Sequence, residues 1–331
     1  MPELVFPKRV DPTTKALPVR GPIGVVIPAY NAADTIGACA ASLLAQQGVE
    51  VDLVVVDDAS TDQTAALAEA AGARVVRRDR NGGPAAARND GARAVTGDIL
   101  FFTEADGRYA PDHLMTCLRA LGDPEVGAAI ALGVRAWSER DSVVRRLGDA
   151  LWAAMHSLVM AGRRGTGAWC YRREVFTALG GFDESLRHGE DVELAGRVAS
   201  LGYRTGVAGW STMTHRNPDR WRSWFVDACR NTAGRRPSGG AKRALHGLRA
   251  AVLLGTPAAA CLMPWLWWVV AAILAVVSFG AAEQRLALKL LWRQRDWRTL
   301  IAAPVLFWLR RLGFSIGHLP GRYLARVAAV R

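Results

Sequence analysis

Three acidic groupings carry the chemistry that this chain's side chains can do. Asp57-Asp58 follows one apolar run, Glu104-Ala105-Asp106 follows another, and Glu190-Asp191 opens a helical stretch. Between the first two lies a glycine-rich loop, Gly82-Gly83-Pro84, with Arg88 close behind it. A single carboxylate at a helix start is often only a cap. Three acidic groupings with an arginine-bearing loop among them suit another task. Carboxylates attract a hard divalent cation, which keeps several waters and takes its remaining ligands from phosphates. An arginine neutralises a diphosphate. A carboxylate held apart from the cation can act as a general base.

The elements that must position these groups alternate in type. Ile23–Ile27 is a β-branched run ending at Pro28, and a helical stretch follows from Ala32 to Gln46, with Asp34 as its expected N-cap. Val51–Val56 is a second apolar run, after which Ser60 or Thr61 starts an alanine-rich helix with Asp62 as an expected cap. Arg74–Arg77 is a shorter strand, Pro84 opens a helix through Ala94, and Ile99–Phe102 is a fourth run. This alternation predicts an α/β fold whose parallel sheet is covered on both faces. In such sheets ligands bind beyond the carboxyl ends of the strands. Tyr30/Asn31, Asp57/Asp58 and Glu104/Asp106 stand at those ends. Further on, Ala128–Trp137, Ala168–Tyr171 and Tyr203–Ala208 read as strands, and Asp141–Met160 and Gly189–Leu201 as helices.

Composition narrows the class. Half of the 331 residues are hydrophobic, which excludes a disordered or collagen-like chain. Cys39, Cys117, Cys170, Cys229 and Cys261 are scattered without CxxC spacing, so they form neither a disulfide framework nor a zinc site, and a reducing compartment suits them. Residues 1–20 carry four prolines among charges and read as a loosely ordered arm. Charge is uneven. Residues 1–215 hold 23 Lys/Arg against 26 Asp/Glu, whereas residues 216–331 hold 19 against 4. A basic tail of this kind meets an anionic surface. Residues 250–282 contain no charge over 33 positions, and nucleic-acid-binding tails interleave charge throughout, so a membrane partner is expected rather than a nucleic acid. A single spanning helix needs about 20 apolar residues. Both flanks are basic, and the positive-inside rule then favours a re-entrant hairpin at 250–282 over a single transmembrane crossing. Arg285–Arg298 mixes Leu and Trp with Arg and Lys in the manner of an interfacial amphipathic helix, and 283–331 is read as such.

Six strings complete the reading. Val26-Ile27-Pro28-Ala29-Tyr30-Asn31, Val56-Asp57-Asp58-Ala59-Ser60-Thr61-Asp62, Gly83-Pro84-Ala85-Ala86-Ala87-Arg88-Asn89, Phe102-Thr103-Glu104-Ala105-Asp106, Gly180-Gly181-Phe182-Asp183-Glu184 and Gly189-Glu190-Asp191-Val192-Glu193-Leu194 occur in this order. Together they resemble family-2 glycosyltransferases of the GT-A fold, over about residues 23–215. The resemblance implies a GT-A domain at 21–235, a mostly parallel Rossmann-like sheet with flanking helices; the tail at 236–331 is expected, from its charge and its uncharged run, to be helical and membrane-associated. It implies inverting transfer of a sugar from a nucleotide-sugar, a UDP-sugar being the expected donor. The expected acceptor is a lipid-linked or glycolipid hydroxyl at the cytoplasmic membrane face, in cell-envelope glycan or glycolipid synthesis.

Residue by residue, the resemblance places Pro28, Ala29, Tyr30 and Asn31 against the nucleotide and gives Asp58 the reading of the base. It sets Arg88 near the phosphates. Glu104-Ala105-Asp106 stands in the DXD position, with Asp106 and Glu104 on Mg2+ or Mn2+ and His215 near the diphosphate or metal. Asp191 matches the catalytic base, supported by Glu190. Trp169 and Trp210 are candidates for stacking on sugar or acceptor. Glu104 stands where the family more often has Asp, and Gly107 replaces a frequent further acidic residue. The competing reading is a catalytically silent GT-A-like membrane scaffold or nucleotide-sugar binding module, against which Asp106 and Asp191 both count.

Overall fold

A computed structural model describes residues 8–9, 11, 14–137, 142–160, 168–186, 189–216, 220–222, 225 and 282–317. The described residues divide between two compact units, one within 1–135 and 156–216, the other within 136–155 and 217–331.

The first unit is built on one mixed sheet. In chain order its strands are β1 (Lys8–Arg9), β2 (Ile23–Ala29), β3 (Val51–Asp57), β4 (Arg74–Arg77), β5 (Ile99–Phe102), β6 (Gly107–Tyr109), β7 (Val126–Trp137), β8 (Trp169–Arg172) and β9 (Arg204–Arg216). They lie in the order β1-β9-β7-β8-β5-β2-β3-β4, and β6 pairs with β9. The β5-β2-β3-β4 portion is parallel, as the apolar runs predict. The β5–β8, β7–β8 and β6–β9 pairs are antiparallel. An apolar run reports burial on both faces and leaves strand direction open, so β8 lay beyond the reach of the alternation. In the N-terminal arm, Lys8–Arg9 pair in parallel with Gly206–Val207, and Leu17 donates its backbone N–H to Leu118.

Period-two alternation divides the core between the sheet's faces. Val25, Ile27, Val55 and Phe101 point to one side, together with helices α1 (Ile36–Leu44) and α4 (His113–Leu121). Val26, Val54, Val56, Leu100 and Phe102 point to the other, with α3 (Pro84–Ala94) and α7 (Glu190–Arg197). Helix α2 (Thr64–Ala70) packs with the first face through Ala68, and α6 (Arg173–Ala178) with the second through Phe176. Helix α3 sits hard on the strands: a Cβ on Gly91 would lie 2.2 Å from Val26 Cγ1.

Helix α1 begins later than the sequence suggests. Its N-cap is Thr35 and no side chain caps it. The Ala32 N–H goes to Thr64 Oγ1 (2.7 Å) and the Ala33 N–H to Asp62 Oδ2 (3.2 Å). Tertiary bonds to the neighbouring loop thus replace the first helical turn expected around Asp34. Asp62 also accepts from the Thr64 N–H at 3.0 Å, at the start of α2.

His113 is buried beneath the sheet, with ring centroids 5.7 Å from Phe101 and 4.8 Å from Tyr109. Burial holds its imidazole down to about 4, with Asp112 opposing, from an ordinary 6.5. The unfolded chain therefore binds a proton near pH 6.5 that the folded chain refuses until about pH 4. Stability falls as the pH drops through that window, and this ring alone should cost about 2 kcal/mol at pH 5. His113→Phe should narrow the difference in urea-unfolding stability between pH 7.5 and pH 5 by that amount. An unchanged difference would mean that the ring does not titrate as described.

The second unit joins α5 (Val143–Met160), through its residues up to 155, to α8 (Ala282–Arg293) and α9 (Trp297–Gly317). Leu147, Leu151, Leu291 and Phe307 form its core, and Arg146 pairs with Asp296 at 3.0 Å. Of the uncharged run at 250–282, expected as a hairpin or a crossing, residues 250–281 lie outside the described residues. Among the described residues no helix is long and apolar enough to cross a membrane.

Candidate active site

Parallel register brings the strand ends together. Ala29 stands opposite Asp57, and Val26 opposite Phe102, so the loops after β2, β3 and β5 open at the same edge. The first two loops are laced to each other. The Asn31 N–H donates to Ser60 Oγ (2.9 Å), the Thr61 N–H donates to Asn31 Oδ1 (2.9 Å), and the Asp58 N–H to the Ala29 carbonyl (2.8 Å). Asn31 and Ala59 both take positive φ, 50° and 63°, at the turns this lacing demands. Pro28 and Ala29 end β2, and Tyr30 projects from it, half exposed.

The two aspartates at the end of β3 hold structure. Asp57 Oδ1 accepts the Ser60 N–H at 3.0 Å, closing the turn. Asp58 is buried and accepts the Gly82 N–H (2.9 Å) and the Gly83 N–H (2.8 Å), and it pairs with Arg78. Arg78 in turn reaches Asp90 at 2.7 Å, and both carboxylates hold its guanidinium above its ordinary value against the cost of burial. Asp58, expected at the base of a nucleotide, thus fixes the glycine loop that opens α3. Arg78 escaped the sequence reading, although the Arg77-Arg78-Asp79-Arg80 cluster at the end of β4 marks it.

Arg88 lies where α3 meets the end of β5. It is 6% exposed, pairs with Glu190, and donates to the Thr103 carbonyl at 3.4 Å. Its guanidinium stands 5.6 Å from the centroid of the Phe182 ring, a cation–π contact. The resemblance sets Arg88 near phosphates; in this structure it pairs with Glu190, whose buried carboxylate needs a counter-charge. Asn89, beside it, binds the 180–184 loop. Its side chain accepts the Phe182 N–H (2.9 Å) and donates to the Phe182 carbonyl (3.0 Å) and to Glu184 (2.9 Å). Arg197 ties the same loop from α7 through the Gly181 carbonyl at 2.7 Å. Asn89, Phe182 and Arg197 therefore seat Arg88 and the start of α7, roles that strings of neighbouring residues do not reveal.

Asp191 follows Glu190 in the first turn of α7, which Gly189 enters at φ 80°. Its carboxyl is pushed up, first by burial and then by the charge of Glu190; Arg88 opposes, and Glu104 adds to the rise. The end of β5 and the start of α7 thus act on one carboxyl. Tyr171 feels the same field: burial raises its hydroxyl, Asp191 raises it further, and Arg88 opposes.

Glu104 is exposed and Asp106 half-buried. Desolvation drives up both the Cys39 thiol and the Tyr109 hydroxyl, and the charges of Asp106 and Glu104 push both further. The two carboxylates therefore share one neighbourhood, with Ala105 between them. Gly107 of β6 pairs with His215 of β9, which brings the backbone of His215 to the same turn. Among the described residues no group of three His, Cys, Asp or Glu is placed to hold an ion. A magnesium-like ion does not need such a cage, because one or two carboxylates suffice when waters and phosphate oxygens complete its shell. The oxygen donors of Glu104 and Asp106 fit that demand.

Trp169 departs from expectation. It is 2% exposed, set in the middle of the sheet opposite Phe102, and packed against Tyr171. It offers no face to a sugar. Trp210 lies in β9, and its side chain, like that of His215, lies outside what is described.

Comparison with known proteins bears on this arrangement. A family model described as "Glycosyl transferase family 2" matches residues 24–172. The succinoglycan biosynthesis protein ExoU of Rhizobium meliloti (strain 1021) is 32% identical over 250 residues, covering 67% of this chain and 72% of that protein. ExoO of the same strain, also a succinoglycan biosynthesis protein, is 34% identical over 200 residues, covering 55% of this chain; the chain spans 57% of ExoO's length. Among solved structures, the mannosyltransferase PcManGT from Pyrobaculum calidifontis, in complex with GDP-Man and Mn2+, superposes with a TM-score of 0.52. It is 23% identical and covers 92% of this chain and 88% of that one, a likeness of fold.

Proposed function

Because the chain belongs to glycosyl transferase family 2, with a GT-A-like α/β fold, we propose that it transfers a sugar from a nucleotide-sugar to a hydroxyl acceptor with inversion. The observation that carries this reading is geometric: Arg88 joins the end of β5, through the Thr103 carbonyl, to Glu190 in the first turn of α7, and Asp191 stands next in that turn with its carboxyl raised by burial and by Glu190. A carboxylate with a raised proton affinity is a better base at neutral pH.

In the proposed reaction Asp191 takes the proton of the acceptor hydroxyl. That oxygen then attacks the anomeric carbon from the side opposite the leaving nucleoside diphosphate. The bond to the diphosphate oxygen breaks as the new glycosidic bond forms, so the configuration inverts. The laced loops of Tyr30–Asn31 and Asp58–Thr61, with the Gly83 turn held by Asp58, receive the nucleotide. Glu104 and Asp106 would hold Mg2+ or Mn2+, with His215 as a further ligand. Bound there, the ion supplies positive charge for the departing diphosphate. Arg88 acts as a positioning residue that holds Glu190, and through it the start of α7.

A UDP-sugar is the first donor to test. The acceptor is read as a lipid-linked saccharide or glycolipid at a membrane, in cell-envelope glycan or glycolipid synthesis. The basic balance of residues 216–331 and the uncharged run at 250–282 support the membrane part. The succinoglycan relatives support the glycan part. A thermal-shift panel of nucleoside diphosphates, with and without Mn2+, tests the donor reading. One nucleoside diphosphate should raise Tm, and only when Mn2+ is present. No shift with any of them would overturn it.

A further inference from the structure

Helices α8 and α9 bury one side and leave the other in water. Their inner faces pack with α5 through Leu147, Leu151, Leu291 and Phe307. On the outer face of α9, Trp297, Ile301 and Val305 recur every fourth residue, so they form one row. They are 49%, 78% and 52% exposed. Trp292, at the end of α8, is 60% exposed and stands edge-on to Trp297, with 4.9 Å between ring centroids.

The corner between the two helices carries charge of one sign. Arg293, Arg295 and Arg298 are all exposed there. Its acidic residue, Asp296, is taken up inward by Arg146 at 3.0 Å and by the Thr299 hydroxyl at 2.7 Å. The outward field at the tryptophan pair is therefore positive. A contiguous row of large apolar side chains on a surface marks an interaction site. The chemistry of this row selects the partner. Tryptophan rings settle at the headgroup level of a bilayer, aliphatic side chains below it, and arginines on the lipid phosphates. Chain continuity agrees, because the uncharged run ends at residue 282, where α8 begins.

We propose that the Trp292–Trp297–Ile301–Val305 row is the face by which this chain lies in the headgroup region of an anionic bilayer, with Arg293, Arg295 and Arg298 on the lipid phosphates. The proposal rests on the membrane reading above and gives that reading a specific face, independent of the sugar chemistry.

The test uses the full chain without donor, carrying the photocrosslinker p-benzoylphenylalanine at position 301, where the native side chain is exposed. It is mixed with vesicles of phosphatidylcholine alone or with phosphatidylglycerol added, floated, and irradiated. On the anionic vesicles, the intact mass should rise by one phospholipid. The same probe at Leu67, exposed on α2, should gain none. Arg293→Glu/Arg295→Glu/Arg298→Glu should cut the lipid adduct at least about tenfold on anionic vesicles, as the loss of three phosphate contacts implies. Flotation without a lipid adduct at 301, or an adduct only to a second copy of the chain, would overturn the ridge while leaving membrane association standing. A triple variant that crosslinks as well as the parent would overturn the role of the arginines. A chain that fails to float at all would overturn both readings.

Discussion

Asp191→Asn is expected to lower the rate of sugar transfer by about 10³-fold, within the range that a positioned general base supplies. The substitution keeps the shape of the side chain and removes its basicity. Donor affinity should stay close to that of the parent, because the loops that receive the nucleotide are built from other residues. Transfer measured alongside nucleoside diphosphate binding separates the two effects; equal loss of both would assign Asp191 to structure instead. The neighbouring Glu190→Gln gives a graded companion result. The charge of Glu190 helps to hold the Asp191 carboxyl above its ordinary value, and Arg88 pulls it down. Removing the former and freeing the latter both lower it. The acid limb of the pH–rate profile should therefore move to lower pH. A limb that moved up, or stayed, would show that Asp191 is not the group it reports.

Arg88→Met is expected to cost about 3–5 kcal/mol of folding stability, the range found when one partner of a buried ion pair is removed. Arg88 and Glu190 are both nearly inaccessible to water, and they pair with each other. The loss should also reach Phe182, which gives up its cation–π partner. A double replacement, Arg88→Met with Glu190→Leu, should recover most of the stability, because it leaves no unpaired charge behind. Urea unfolding of the single and double variants checks this. A double variant no more stable than the single one would mean that the pair's burial is not the source of the cost.

The central parallel strands were legible because they are mostly apolar, with Asp52 the exception in β3, and each is followed by polar residues at the same edge. Ile23–Ile27, Val51–Val56 and Ile99–Phe102 all became central strands. In the antiparallel half, Ala128–Trp137, Ala168–Tyr171 and Tyr203–Ala208 were legible as strands but their directions were not, since a strand such as Trp169–Arg172 carries no mark of its direction. Helix α4 and the short strand Gly107–Tyr109 were missed, the latter because three residues are too few to show a period. In the site, the clustering of Glu104 with Asp106, and of Glu190 with Asp191, could be read from adjacency. What could not be read was commitment. Asp58 and Arg88 have the types expected of ligand-binding groups, and the fold also gives each a structural partner: Asp58 fastens a glycine loop and Arg88 neutralises a helix start. Trp169 looked like a stacking platform because an isolated tryptophan in sequence gives no clue to its depth. The partners that decide such cases, Arg78 for Asp58 and Glu190 for Arg88, come from other segments that the fold brings near.

The most direct measurement is a crystal structure of the full chain bound to Mn2+ and the nucleoside diphosphate that raises its Tm. It should place the ion on Asp106, the diphosphate on the ion, and the Asp191 carboxyl in the same cleft, facing the space where a sugar and an incoming hydroxyl would meet. An ion held away from Asp106, or a diphosphate whose open side faces away from Asp191, would contradict it.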